Sequence, residues 1–192
     1  KFDAADASVF ERLELPGPHS VFRGYPEQDF VRLAGARVLG IVQGGREASM
    51  LEAGQSGDVI FDRTVFYPEG GGQVADRGAL RWDGGTAEVV DVQKPVPNLI
   101  AHRVEVRAGR LELGLSVDMD VPEWTRRRTQ ANHTGTHLLH AALRERLGTH
   151  VRQAGSAVRP DKLRFDFTHG APLSAEEVRD IEDRVNEEIK AS

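Results

Sequence analysis

The sequence predicts an α+β fold in which a small β-barrel or β-sandwich precedes a unit with long helices. Two observations predict it. From residue 31 to residue 117, short runs with β-branched residues alternate with glycine-containing turns, which is typical of small antiparallel sheets. From Pro122 onward the apolar residues take a helical spacing, and proline suits the first turn of a helix.

The predicted β elements follow one another after an irregular start. Residues 1–29 contain the breaker formed by Pro16, Gly17 and Pro18 and are expected to be a linker or irregular segment. Strands are predicted at residues 36–42, 58–66, 87–92, 100–106 and 111–117. The turns between them are indicated by glycine clusters, which permit the backbone angles that tight turns need.

The second half of the chain predicts two helices around a hairpin. A helix over 123–147 ends at Gly148, a residue common just after the last helical position. A hairpin over 151–167 turns at 159–162, and a capping box formed by Ser174 and Glu177 opens a second helix.

Composition limits the classes of protein. The 192 residues are 39% hydrophobic and 29% charged, which is ordinary for a globular chain. The absence of cysteine excludes disulfides and removes the commonest zinc ligand. No apolar run of about 18 residues is present, so we expect no membrane span and no membrane partner. A chain without cysteine is compatible with a reducing compartment, and the expected location is cytoplasmic. The chain does not begin with Met and reads as a fragment of something longer.

Charge gives a weak signal for nucleic acid. The net charge of −5 does not favour general binding of nucleic acid, although Arg126, Arg127 and Arg128 form a dense basic run. Such a run is also typical of a solvated helix face whose cations pair with nearby acids.

The motif that points most directly to a chemical function is a pair of histidines, His133 and His137, on the predicted helix. Residues four apart lie on one helical face, so two imidazoles placed this way can bind one metal ion. His140 shares much of that face. The same spacing also fits histidines that are held only by hydrogen bonds, and the glutamate of the metalloprotease H-E-x-x-H motif is absent.

Two further features accompany the histidines. Gly70, Gly71 and Gly72, followed by Gln73, could bring backbone amides close to a ligand, but glycine clusters are also typical of mobile hairpin loops. Gln153 lies in a predicted strand, where its amide could orient a water or an ester carbonyl or could simply face solvent.

In combination, these strings resemble the editing region of alanyl-tRNA synthetase. The matching stretches are residues 66–73, 76–78, 132–143, 147–156 and 163–169. The resemblance spans residues 22 to 192, and the order and spacing make it specific. Threonyl-tRNA synthetase shares the H-x-x-x-H element, but the glycine-rich string points to the alanyl family and its free-standing AlaX relatives.

The resemblance implies a set of residue roles. His133 and His137 would be two of four zinc ligands, the other two coming from a downstream C-x-x-x-H motif that this chain lacks. Thr136 would line the amino-acid pocket and help to discriminate serine from alanine. Gln153 would lie beside the scissile ester or its attacking water. One wall of the site would be formed by Gly70, Gly71, Gly72 and Gln73.

The resemblance also implies domains and partners. A translation-factor-like β-barrel (30–120) would precede an incomplete α+β editing domain (121–192), which hydrolyses tRNA(Ala) mischarged with serine or glycine. Arg126 and its neighbours would guide the acceptor end of tRNA(Ala). The rest of the synthetase chain would be a partner, and ATP and Mg²⁺ would belong to its adenylating domain. A free-standing AlaX-like hydrolase and a non-catalytic tRNA-binding module remain as alternatives.

Overall fold

The structure, a computed structural model, describes residues 4–25 and 31–191. The chain divides into two compact units. The first comprises Lys1–Glu69 and Ala75–Glu123, and the second comprises Gly70–Val74 and Trp124–Ser192. The predicted barrel domain, residues 30–120, includes residues 70–74, whereas in the structure these residues belong to the second unit.

The first unit contains a short helix and eleven strands among the described residues. They are α1 (Ala4–Glu11), β1 (Val21–Phe22), β2 (Arg32–Gln43), β3 (Arg46–Glu47), β4 (Met50–Glu52), β5 (Ser56–Phe61), β6 (Arg63–Thr64), β7 (Gly78–Trp82), β8 (Gly85–Gln93), β9 (Ala101–Ala108), β10 (Arg110–Glu112) and β11 (Ser116–Asp120).

Six strands of the described chain close into an antiparallel β-barrel. Their order is β11-β7-β8-β9-β5-β2, and pairing of β11 with β2 completes the ring. Closure leaves no long unpaired edge within the ring, which removes a common route to aggregation. The sequence is compatible with either a β-barrel or a β-sandwich, and the structure has a β-barrel.

Alternating side chains fill the interior of the barrel. Phe61, Leu80, Val104 and Leu111 are fully buried, as is His102, which is the polar exception among them. Burying each of the large apolar side chains contributes about 1.5–3 kcal/mol to stability. The barrel therefore has a packed core rather than a ligand-binding lumen.

The predicted strand 58–66 is interrupted at Asp62. Asp62 Oδ1 accepts hydrogen bonds from the backbone amides of Arg37 and Arg63, both at 2.8 Å. A side chain that binds neighbouring amides competes with strand pairing. The run therefore divides into β5 and β6. The structure also adds β7, whose buried Leu80 and exposed Arg81 alternate over too short a run to be recognised from the sequence.

The start of the chain is more ordered than predicted. Residues 4–11 form helix α1, so the prediction of an irregular segment over 1–29 is wrong for these residues, while 1–3 and 26–29 lie outside the described residues. The cause is tertiary packing. Phe10 is buried in a cluster with Val42, Ile60, Leu99 and Ala101, and this contact stabilises a helix that is too short to be marked by a periodic pattern.

The second unit contains two helices and a hairpin. Helix α2 (Glu123–Leu147) has the predicted bounds, β12 (Gln153–Val158) pairs antiparallel with β13 (Leu163–Phe167), and α3 (Ala175–Ala191) follows. Helix α3 begins with the predicted capping box: the Glu177 amide donates to Ser174 Oγ at 3.2 Å, and the Ser174 amide donates to Glu177 Oε2 at 2.8 Å.

A small apolar core joins these elements. Ala142, Leu143, Val151 and Ile181 are buried together, with partly buried side chains of both helices and the hairpin around them. Ion pairs between Arg146 and Asp180 and between Arg184 and Glu145 also link the two helices. These contacts hold α2 and the hairpin in a fixed relation within the second unit.

None of the described helices is both long enough and apolar enough to cross a membrane.

Candidate functional site

A cavity of about 240 Å³ lies in the second unit, between helix α2 and the hairpin. Its lining residues are Gly71, His133, Thr136, His137, His140, Gln153, Ser156, Val158 and Phe165. The helix supplies four of them at positions i, i+3, i+4 and i+7, the spacing that places side chains on one face. The structure thus brings together His133, Thr136, His137, Gln153 and Gly71, which the sequence singles out separately.

The histidine pair forms one side of the cavity. The ring centroids of His133 and His137 are 5.1 Å apart, and the ring planes are inclined by 47°. His133 is half-buried and His137 is exposed. No hydrogen bond to the ring of His137 is present in the described part of the chain, whereas His133 Nδ1 lies 2.9 Å from Gln73 Oε1. His133 is therefore the more firmly held of the two rings.

Thr136 is buried between the histidines. It is 7% exposed, and its hydroxyl donates to the backbone carbonyl of Asn132 at 2.8 Å. A hydroxyl has one proton to donate and two acceptor lone pairs. With the proton directed to the helix, the oxygen of Thr136 is left as an acceptor facing the cavity.

Gln153 reaches the cavity from the first residue of β12. Its Nε2 donates to Ser156 Oγ at 3.1 Å, and its side-chain carbonyl oxygen has no donor among the described residues. The exposed carbonyl oxygen can therefore accept a hydrogen bond from a water or a ligand.

The glycine-rich loop is held against the hairpin by backbone hydrogen bonds. Residue 73 forms a parallel bridge with Val158, the Val158 amide donates to Gly72 O at 2.8 Å, and the Val74 amide donates to Val158 O at 3.1 Å. Only Gly71 of the loop is among the lining residues. Gly70, Gly72 and Gln73 belong to the loop but do not line the cavity. Gln73 contacts His133 through its side-chain oxygen.

Gly72 must be a glycine for the loop to lie this close. Its φ is +83°, and a Cβ there would lie 2.8 Å from the backbone carbonyl oxygen of Ser156 and would also collide with Ser156 Oγ.

Arg126 is in a different environment from the one predicted. Its side chain is only 2% exposed, and it is not among the cavity-lining residues. A buried guanidinium is a structural group of the helix rather than a free cation. Several other cations of the second unit are exposed, among them Arg127, Arg128, Arg152, Arg159, Lys162 and Arg164.

Comparison with known proteins decides the family. The model for class II (A) tRNA synthetases matches residues 5–124. The chain is 47% identical over 180 residues to an alanine–tRNA ligase of Aromatoleum aromaticum, covering 94% of this chain and 20% of that protein. It is 44% identical over 182 residues to the alanine–tRNA ligase of Acidithiobacillus ferridurans and 46% over 188 residues to that of Bdellovibrio bacteriovorus. These alignments cover 95% and 97% of this chain and 20% of each relative.

This chain belongs to the alanine–tRNA ligase family.

The resemblance read from the glycine-rich and histidine strings is thereby confirmed at the level of the family. The chain spans about a fifth of the length of these alanine–tRNA ligases. The family model matches most of the barrel unit, and the longer pairwise matches extend across the second unit as well.

Part of the cavity was not predicted from the sequence. Ser156, Val158 and Phe165 line it, and none of them was selected as a site residue. The sequence could have indicated them, because they alternate along the two strands of a predicted hairpin and therefore lie on one face of it. His140 was noted only as a neighbour; its ring packs 5.1 Å from that of Phe165, and its buried Nε2 has no partner in the part of the chain described.

The residues present can supply part of a zinc site. Imidazole nitrogens are good zinc ligands, and His133 and His137 are adjacent on one helical face. However, no group of three or more histidine, cysteine, aspartate or glutamate residues is arranged to hold a metal within residues 4–25 and 31–191. A zinc ion at this position would therefore need further ligands from outside the described residues or from water.

Proposed function

We propose that the second unit of this alanine–tRNA ligase segment contributes to a hydrolytic site that removes serine from mischarged tRNA(Ala). The observation that carries the proposal is the cavity of about 240 Å³ between α2 and β12, with an acceptor hydroxyl, a free amide carbonyl and two imidazoles around it. A cavity of this size is smaller than a typical pocket of 300–1,000 Å³ and suits a small aminoacyl group.

Thr136 is the residue we assign to discrimination. Its oxygen can accept a hydrogen bond from the hydroxyl of a serine side chain, because its own proton is given to Asn132 O. Alanine has no such hydroxyl and would leave the buried oxygen without a donor, which is costly. A site built to hydrogen-bond a hydroxyl can reject an analogue that lacks it by about 10⁴-fold or more.

Gln153 is the residue we assign to positioning of water. In the reaction, water adds to the ester carbonyl carbon, the bond to the ribose oxygen breaks, and the products are the free amino acid and the terminal ribose hydroxyl of the tRNA. The free carbonyl oxygen of Gln153 can accept a hydrogen bond from that water and so direct the lone pair of the water at the ester. Ser156 holds the amide in place from the other end.

A zinc ion, when bound, would polarise the attacking water or the ester carbonyl at this site. Within this chain, His133 and His137 would be the residues that hold it.

The partner of the site is proposed to be the single-stranded acceptor end of tRNA(Ala). The related proteins are alanine–tRNA ligases, which act on alanine and tRNA. Exposed Arg159 and Lys162 at the hairpin turn, together with Arg128, could neutralise phosphates near the cavity. Arg126, being buried, is not included in this proposal.

The test is Gln153→Ala in a full-length alanine–tRNA ligase that carries this segment. We expect hydrolysis of seryl-tRNA(Ala) to fall by 10²-fold or so, as is common when a group that positions a reactant is lost. Charging of tRNA(Ala) with alanine should be unchanged, because that reaction belongs to the adenylating domain. Arg107→Gln in the barrel, which also removes a polar surface group, is the matched control and should alter neither rate. Equal hydrolysis by the variant and the parent would contradict the assignment.

A further inference from the structure

Gln73 stands out because it is buried in a loop of glycines yet does not line the cavity. It is 6% exposed, and its side-chain oxygen lies 2.9 Å from Nδ1 of His133. A buried polar side chain is retained only where its hydrogen bond compensates for the loss of water. The direction of this particular bond has a chemical consequence for the histidine.

An amide oxygen can only accept a hydrogen bond, so Nδ1 of His133 must carry the proton. A neutral imidazole has one N–H, and its other nitrogen then bears a lone pair. The Gln73 contact therefore leaves Nε2 of His133 as the basic nitrogen. That nitrogen is the one available to bind a metal ion or to accept a proton on the cavity side.

The backbone around Gln73 is fixed by the loop. The amide of residue 73 donates to Gly70 O at 3.0 Å, and the amide of Gly70 donates back to Gln73 O at 3.1 Å. On the other side, the loop is hydrogen-bonded to Val158 of β12 through Gly72 and Val74. The close approach at Gly72 makes this arrangement possible, because a side chain there would push the loop off the strand.

We propose that Gln73 is a positioning residue that fixes the tautomer and the ring orientation of His133, so that Nε2 is presented for metal binding. The proposal rests on the proposed function for the role of the metal, but the tautomer itself does not depend on that function. Residues that hydrogen-bond the far nitrogen of a metal-binding histidine typically change metal affinity by 10- to 100-fold when they are lost.

The direct test is ¹⁵N NMR of the histidine rings in the metal-free 192-residue chain. We expect His133 to show a protonated, pyrrole-type Nδ1 and an unprotonated, pyridine-type Nε2. In Gln73→Met, which keeps the length of the side chain but removes the acceptor, His133 should become a mixture of the two tautomers. A protonated Nε2 in the parent, or an unchanged His133 in Gln73→Met, would overturn the proposal.

A second variant separates positioning from folding. Gln73→Glu retains an acceptor oxygen and should keep the Nδ1–H form, so it should restore what Gln73→Met loses. In a zinc titration followed by the His133 and His137 ring signals, the midpoint should rise at least about 10-fold for Gln73→Met and should not rise for Gln73→Glu. Gln43→Met, at a solvent-facing position of β2 in the barrel, is the matched control and should leave the midpoint unchanged.

The outcomes also distinguish the two proposals. If the parent ligase fails to hydrolyse seryl-tRNA(Ala) while His133 shows the expected tautomer and its dependence on Gln73, the proposed function fails and the positioning role stands. If hydrolysis is present but Gln73→Met changes neither the tautomer nor the zinc midpoint, the positioning role fails and the proposed function stands.

Discussion

At the residue scale, His102 shows how a polar side chain can be buried in the barrel core when hydrogen bonds satisfy it. It is fully buried in the barrel, and its Nδ1 donates to Val59 O at 3.0 Å. Its Nε2 accepts from the hydroxyl of Thr64 at 2.8 Å, and that hydroxyl oxygen in turn accepts from the amide of Phe66. Every polar atom of the neutral ring is thus satisfied, so that the ring costs little while it is uncharged.

His102 should make the barrel sensitive to acid. Burial lowers the pKa of His102 from 6.5 to about 4. Between these values the unfolded chain binds a proton that the folded chain does not, so stability is complete above pH 6.5 and falls as the pH decreases towards 4. The full difference corresponds to roughly 3 kcal/mol. Urea unfolding at a series of pH values should show this decline, and His102→Gln should flatten it within that window.

The control for this prediction is His19→Gln, which removes a histidine outside the barrel strands and leaves His102 in place. It should retain the slope of the parent. An equal slope in His102→Gln would mean that other groups cause the decline.

At the element scale, the glycine-rich loop behaves as a short strand added beside β12, and two of its glycines give a matched pair for testing it. Gly71 and Gly72 both have positive φ, of +59° and +83°. A Cβ on Gly71 would meet nothing within 4 Å, whereas one on Gly72 would collide with Ser156. Alanine at either position pays a backbone cost of about 1–2 kcal/mol for the left-handed conformation.

We expect Gly72→Ala to detach the loop from β12 and Gly71→Ala to leave it in place. Amide hydrogen exchange at Val158 and Val74 measures this directly, since both amides are protected by the contact. Exchange should accelerate strongly in Gly72→Ala and little in Gly71→Ala. Similar exchange in the two variants would show that backbone strain, and not the approach to Ser156, controls the loop.

Some of the helices and strands could be predicted from the sequence, and others could not. Helix α2 was predictable because its apolar spacing, its early proline and Gly148 all agree. Helix α1 was not, because its stability comes from Phe10 packing against residues that are distant in the chain. The division of 58–66 was hidden as well, since it depends on Asp62 binding the amide of Arg37.

The candidate site also has features that the sequence predicts and features that it does not. The helical positions of His133, Thr136 and His137 follow from periodicity alone. The contact of Gln73 with His133 joins residues 60 positions apart, and no local pattern in the sequence encodes it. The burial of Arg126 is also a tertiary property, and a basic run in the sequence does not reveal it.

At the scale of the whole molecule, the number of metal ligands limits what this chain can do alone. It has no cysteine, and His133 and His137 would supply two ligands where catalytic zinc sites have three from the protein and structural sites four. Four-ligand zinc sites in small domains bind with roughly 10–16 kcal/mol. Each missing ligand must be replaced by water, which gives up most of the chelate advantage.

We therefore expect the 192-residue chain to bind zinc much more weakly than a full-length alanine–tRNA ligase of its family and to hydrolyse seryl-tRNA(Ala) poorly. Competition with a chromophoric chelator measures the first, and release of radiolabelled serine measures the second, with the full-length enzyme as the reference. His133→Ala should lower the zinc affinity of both proteins, because in each it removes an imidazole that we propose to hold the metal. Tight zinc binding together with rapid hydrolysis by the 192-residue chain would show that its two histidines, with water, are a sufficient site.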